Sequence, residues 1–232
     1  MKILKKIQTL LGVATLVLLA VGLWFVYNAP EDFQQGGAVR ILYIHVPSAK
    51  MALLSYLFLT VASALYLWKR SETADILAEA ATSVGAAFTA ITLASGSIWG
   101  KPMWGTWWAW DARLTSMLVL LILFKGLMVL RNSMDDPVKG ARATAILAII
   151  GAVDLPIIHY SVVWWRTLHQ PPSMAASGNA GVHISGPLLP PLLILSGAFM
   201  LMGLYMVTVK ARQIEARRRL DALESARMHP DE

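Results

Sequence analysis

Apolar residues in this chain fall in long blocks separated by short polar stretches. A helix needs about 20 predominantly apolar residues to cross a hydrocarbon core about 30 Å thick. Six blocks are long enough: about 9–27, 51–68, 74–97, 114–130, 143–163 and 188–209. The pattern predicts an all-α integral membrane protein, a single domain over 1–232 built as a bundle of six transmembrane helices. The first block begins with Lys2, Lys5 and Lys6, as a secretory signal does. Its apolar run exceeds the roughly 7–15 residues of a signal core and no clean small-x-small cleavage site follows, so it reads as a retained span.

Lysine and arginine in the connecting segments set the orientation. With the N-terminus cytoplasmic, fourteen of them lie inside, among them Lys69, Arg70, Arg131, Lys139, Arg142, Lys210 and Arg217–Arg219. Only five, Arg40, Lys50, Lys101, Arg113 and Arg166, lie outside. Both termini are therefore expected to be cytoplasmic, and loops 28–50, 98–113 and 164–187 to face out. The basic helix continuing past Val209 reads as a solvated stop-transfer anchor.

Composition agrees with lipid as the solvent: 56% of residues are hydrophobic and 15% charged, against about 45–50% and about 25% in soluble domains. Cysteine is absent, which excludes disulfides, zinc–thiolate and iron–sulfur sites, a thiolate nucleophile and covalent thioether attachment of haem. No Walker-type phosphate loop occurs. The net charge of +6 follows the inside loops and gives no reason to expect nucleic acid.

Unusual chemistry gathers on the outer side. Five of the nine tryptophans lie within Trp99–Trp110, in Trp-Gly-Lys-Pro-Met-Trp-Gly-Thr-Trp-Trp-Ala-Trp, followed by Asp111-Ala-Arg113. An interfacial aromatic belt accounts for one or two tryptophans at a helix end, not five in one loop. Trp104, Trp107, Trp108 and Asp111 stand at i, i+3, i+4 and i+7, which predicts a short helix with one indole face ending in a carboxylate. Gly100, Pro102 and Gly105 are expected to keep the stretch before it irregular. Such a face suits a large planar apolar ligand with polar edges. Arg113 either pairs with Asp111 or orients carboxylates of that ligand.

Four of the five histidines, His45, His159, His169 and His183, lie at or beyond the outer ends of spans. Neutral imidazole is the common axial ligand of haem iron. His45, in Ile-His-Val-Pro47, precedes the second span, where Pro47 suits a first helical turn and Ser48 is placed to satisfy exposed amides. His169, in Trp164-Trp-Arg-Thr-Leu-His-Gln170, follows the fifth. The two share a depth but come from different loops, so they can clamp one iron from opposite faces. His159 is a candidate for a buried or supporting role. His183, in a Gly- and Ser-rich stretch, is the weakest ligand candidate, and His229 belongs to the polar tail. Lys125 and Asp154 fall inside spans, where charge is costly and often functional; Lys125 is long enough to snorkel.

The segment Trp99–Arg113 resembles the tryptophan-rich "WWD" signature of haem-handling proteins of cytochrome c biogenesis. With Tyr43-Ile-His45-Val-Pro47 before it and Leu155-Pro-Ile-Ile-His-Tyr-Ser-Val-Val-Trp-Trp-Arg-Thr-Leu-His-Gln170 after it, the likeness narrows to the cytochrome c maturation protein C (haem exporter protein C) family and covers nearly the whole chain. The resemblance implies a protein of the bacterial inner membrane that holds haem b transiently on its periplasmic face. It implies His45 and His169 as axial ligands and Trp104, Trp107, Trp108, Trp110 and Asp111 as the haem-facing platform, with Trp99 and Arg113 beside it. It implies as partners the ABC-type ATPase and permease subunits, a small single-span protein and a periplasmic haem chaperone. Members do not bind ATP themselves, in keeping with the missing phosphate loop. Lys50 departs from the bulky apolar or aromatic residue expected there.

The leading expectation is thus a non-enzymatic, haem-presenting membrane protein. The alternative is a haem-translocating permease subunit, which predicts a haem-sized polar path; the Ala-, Gly- and Leu-rich third and sixth spans offer little toward one. An electron-transfer cytochrome b would need paired histidines at two depths within spans.

Overall fold

The computed structural model describes residues 2–165, 167–169 and 186–228. His183, Arg166 and His229 lie outside them. Among the described residues every regular element is a helix: α1 Lys2–Asn28, α2 Leu42–Lys69, α3 Glu72–Trp104, α4 Ala112–Asn132, α5 Pro137–Gly151, α6 Asp154–Trp164 and α7 Leu189–Met228, with 3₁₀ turns at Gly37–Ile41 and Gly186–Leu188. Six segments are long and apolar enough to cross a membrane, α5 and α6 together forming the fifth. This is a multi-pass membrane protein.

Local chemistry explains the boundaries. Arg70 ends α2 in the left-handed region at φ 52°, and Ser71 caps α3 by accepting from the Ala74 amide at 3.3 Å, so the second and third spans turn tightly. Asp136 caps α5 through the Val138 and Lys139 amides, with Pro137 in the first turn. The fifth span breaks at Ala152–Val153. Pro156 has no N–H for the Ala152 carbonyl, which takes the Leu155 amide instead at 3.1 Å.

Three expectations about the spans are corrected. The second span starts earlier than 51, because the chain is helical from Leu42 with Pro47 inside the helix. Ser48 is buried without a hydrogen-bond partner rather than serving exposed amides. The third runs through Gly100 and Pro102 to Trp104, so this segment is regular helix for longer than its Gly and Pro content suggested.

α3 sits at the centre, packed on α2, α4 and α7, while α1 lies at the periphery against α7. Tyr56, Phe88, Leu120 and Phe124 fill the core. Large apolar residues such as Leu10, Leu16, Leu57, Ile122 and Val129 face outward, the arrangement that lipid requires. The hydroxyls of Thr82, Thr89, Thr92 and Thr144 bond to carbonyls four residues back in their own helices, which satisfies them inside the bundle, while the Tyr43, Ser48, Tyr56 and Ser196 hydroxyls are buried without a partner among the described residues.

Close helix approach depends on small residues. A Cβ on Gly85 would collide with the Phe124 ring and lie 2.9 Å from the Ser55 Cβ. Gly85→Val is expected to cost about 1–3 kcal/mol, read as a lower melting temperature of the purified protein in detergent. An unchanged melting temperature would mean that this three-helix contact is looser than described.

Candidate functional site

At the end of the bundle opposite the termini, a cavity of about 340 Å³ opens between α2, α3, α4 and α6. Its size falls in the range of small-molecule sites, about 300–1,000 Å³. Most of the lining is apolar or aromatic, including Leu53, Leu93, Met103, Met117, Trp99 and Trp104. His45, His169 and Arg113 enter the same lining.

His45 comes from the first turn of α2, not from a loop. Its Nδ1 lies 3.1 Å from Ser95 Oγ on α3. The Ser95 hydroxyl donates its one proton to the Ile91 carbonyl at 2.7 Å, so its oxygen accepts from His45 Nδ1–H. That leaves Nε2 with a free lone pair, the form that binds a metal. Gly96 is what admits the ring: a Cβ there would stand 2.9 Å from His45 Cε1. The Trp99 ring meets the imidazole edge-on at 5.6 Å between centroids, and the Trp99 indole N–H donates to Gln35 Oε1 at 3.1 Å.

His169 is held in a parallel way. Its Nδ1 lies 3.0 Å from Asp111 Oδ2, again leaving Nε2 to act as a ligand. The carboxylate also accepts from the Leu168 amide at 3.3 Å and, through Oδ1, from the Leu114 amide at 2.8 Å. Asp111 therefore caps α4 and fixes the imidazole together. Burial pushes this carboxyl up, but the hydrogen bonds from His169, Leu114 and Leu168 outweigh it and hold the group below its ordinary value. The Trp104 ring lies edge-on to His169 at 4.8 Å.

The tryptophan segment is not the predicted helix. Gly105 ends α3 at φ 76° in the left-handed region, and residues 105–111 are irregular up to the Asp111 cap. The segment folds back on α3, where Ser97 Oγ donates to the Trp107 carbonyl at 2.6 Å and Thr106 Oγ1 to the Trp108 carbonyl at 2.9 Å. The one-face spacing of Trp104, Trp107, Trp108 and Asp111 therefore does not exist in three dimensions. Trp104 and Trp99 reach the cavity. Trp107 and Trp110 are 56% and 76% exposed outside it, and Trp108 packs edge-on against Trp110 at 5.4 Å.

Arg113 does not pair with Asp111 through a hydrogen bond; it donates to Ser161 Oγ at 3.1 Å and to the His159 carbonyl at 3.4 Å. His159 lines the cavity but is exposed rather than buried. Among the described residues no cluster of three or more His, Cys, Asp or Glu side chains could hold a bare metal ion. Two histidines on a shared apolar cavity suit an iron that brings its own equatorial ligands. Sequence reasoning missed Ser95 and Gly96. The small run Ser95-Gly96-Ser97 near the end of α3 was the available signal, since close approach of a ring to a helix needs small residues.

Comparison with known proteins agrees with the geometry. A family model described as "Heme exporter protein C" matches residues 1–226. The chain is 45% identical over 214 residues to the protein of that name from Bradyrhizobium diazoefficiens, covering 92% of this chain and 81% of that one. It is 50% identical over 161 residues to the one from Escherichia coli K12, covering 69% of this chain and 66% of that one. A mitochondrial protein of Marchantia polymorpha, named as ccmC-like in cytochrome c biosynthesis, is 42% identical over 189 residues, 82% of this chain and 79% of that one. With its six segments able to cross a membrane and these likenesses, the chain belongs to the haem exporter protein C family.

Proposed function

We propose that this protein handles haem for cytochrome c biogenesis, binding haem b transiently at the outer face and passing it on. One observation carries the reading: His45 and His169, each with Nδ1 held by an oxygen acceptor, line the same apolar cavity. Metal-bound histidines keep the other ring nitrogen on just such a partner, which fixes the tautomer and raises ligand basicity. Trp99 and Trp104 supply aromatic surface for a macrocycle. Arg113 supplies a cation for a propionate. Trp107, Trp108 and Trp110 then serve the platform from the rim of the cavity, where a departing or arriving cargo passes.

In this reading the outer face is periplasmic, the membrane is the bacterial inner membrane and both termini are cytoplasmic, as the lysine and arginine distribution supports. The partners are those the resemblance implies: the ABC-type ATPase and permease subunits, a single-span protein and a periplasmic haem chaperone. This chain's own contribution is to bind, orient and shield the cargo from water.

Titrating the purified protein with haemin and following the Soret band tests the proposal. Saturation at one haem per chain is expected, and purely non-saturable uptake by the detergent would contradict it. Ser95→Ala removes the acceptor of His45 Nδ1 while leaving the ligand. It is expected to weaken haem binding about 10-fold, the lower end of the effect of supporting partners, with the stoichiometry unchanged.

A further inference from the structure

A second cavity, of about 220 Å³, lies at the end of the bundle that holds the termini. Tyr66, on its lining, is 21 residues along α2 from His45, or about 30 Å at helical rise. It is unrelated to the histidine site.

Its floor is an ion-pair network. Asp75, 6% exposed, receives Arg131 at 2.6 Å through each of two guanidinium nitrogens and Arg218 at 2.7 Å. Arg218 also reaches Glu79 at 2.8 Å. Glu72 stands 3.9 Å from Arg218 as well, so Asp75, Glu79 and Glu72 share Arg131 and Arg218. Lys210 and Arg217, both on α7, line the cavity as well. Lys210 has no hydrogen bond or ion pair among the described residues, and Arg217 has only an open-surface contact with Asp221 at 4.0 Å. Lys210 is therefore the cation of the lining that no carboxylate among the described residues meets.

The hydroxyls point the same way. Ser63 is 1% exposed and lines the cavity with Ser83; neither side chain has a hydrogen-bond partner among the described residues. Both hydroxyls are therefore available to a polar group that enters the cavity. Leu59, Leu127 and Met128 provide an apolar wall beside these groups. The level is that of lipid headgroups, because the apolar part of α7 ends at Val209 and Lys210 begins its polar extension. A basic pocket between transmembrane helices at this depth suits an acidic headgroup.

We propose that this cavity binds the phosphate of an anionic phospholipid, held by Lys210 and Arg217, with Ser63 and Ser83 hydrogen-bonding a hydroxylated headgroup.

The test is the melting temperature of the detergent-purified chain with added phosphatidylglycerol, phosphatidylcholine or inorganic phosphate. Phosphatidylglycerol at about a hundredfold excess over its dissociation constant is expected to raise it by about 5 °C or more, with neither of the others doing so. Lys210→Gln with Arg217→Gln is expected to abolish the shift. Lys210→Arg with Arg217→Lys is expected to keep it, as is the control Arg219→Gln with Arg227→Gln. An equal rise with phosphatidylcholine, or a shift that survives the glutamine pair, would overturn the site. A full shift with inorganic phosphate alone would overturn the lipid assignment.

Discussion

His169→Ala and His45→Ala are each expected to abolish formation of c-type cytochromes in cells that depend on this protein and to weaken haem binding by more than 100-fold. The lower bound follows from the supporting partners, whose loss alone costs about 10–100-fold in metal affinity; removal of the ligand itself must cost more. Neither imidazole is a pillar of the fold. His45 rests in a niche left by Gly96, and His169 follows the end of α6, with its ring held by Asp111. The variants should therefore accumulate in the membrane at near-normal amounts, which immunoblotting checks. Normal cytochrome levels in either variant would remove that histidine from the site.

Asp111→Ala carries the second large effect, because one side chain holds three groups. Loss of its hydrogen bond to the Leu114 amide removes an N-cap worth about 1 kcal/mol, a fall of about 2–4 °C in a chain of this size. Loss of the bond to His169 frees the tautomer and the ring, with an expected 10–100-fold fall in haem affinity. Asp111→Asn separates the two roles. Asparagine caps as well as aspartate, so the melting temperature should recover while haem affinity stays low.

The sign of the pH dependence follows from the same contacts. Asp111 has its carboxyl held below the ordinary value of 3.8. Its contribution is present above that value and is lost only as pH falls through the lower folded one. The stability difference between wild type and Asp111→Ala should therefore not shrink from pH 8 to pH 5, since a proton gained by His169, 3.0 Å from the carboxylate, only strengthens the pair. A difference that vanished between pH 7 and pH 5 would mean that the carboxylate is not held as described.

The number of spans was legible because hydrophobic block length is a coarse signal that tertiary structure rarely overrides. Their ends at the histidine cavity were not. Pro47 and Pro102 read as boundaries, yet both sit inside helices, where loss of one amide donor is tolerated when the rest of the helix is packed. The break in the fifth span was likewise hidden, since Ala152 and Val153 are as apolar as their neighbours and only Pro156 marks it. For the cavity, residue types sufficed to single out His45, His169, Trp99, Trp104 and Arg113, which line it together, and Asp111, which touches His169. Helical spacing misled for Trp107 and Trp108, because Gly105 at positive φ and the Asp111 cap together forbid a helix between them. Beyond the small run Ser95-Gly96-Ser97, nothing in the sequence marks Ser95 as a partner of His45. A serine in an apolar block looks like any other, and its role depends on α2 and α3 packing side by side in one register.

The most direct test of the central claim is the ultraviolet–visible and electron paramagnetic resonance spectrum of the haem-loaded protein, wild type beside His45→Ala and His169→Ala. Coordination by both histidines predicts a six-coordinate low-spin haem in the wild type. It also predicts high-spin haem or lost haem in each variant, with added imidazole restoring the low-spin form. A low-spin spectrum unchanged in either variant would contradict the two-histidine site.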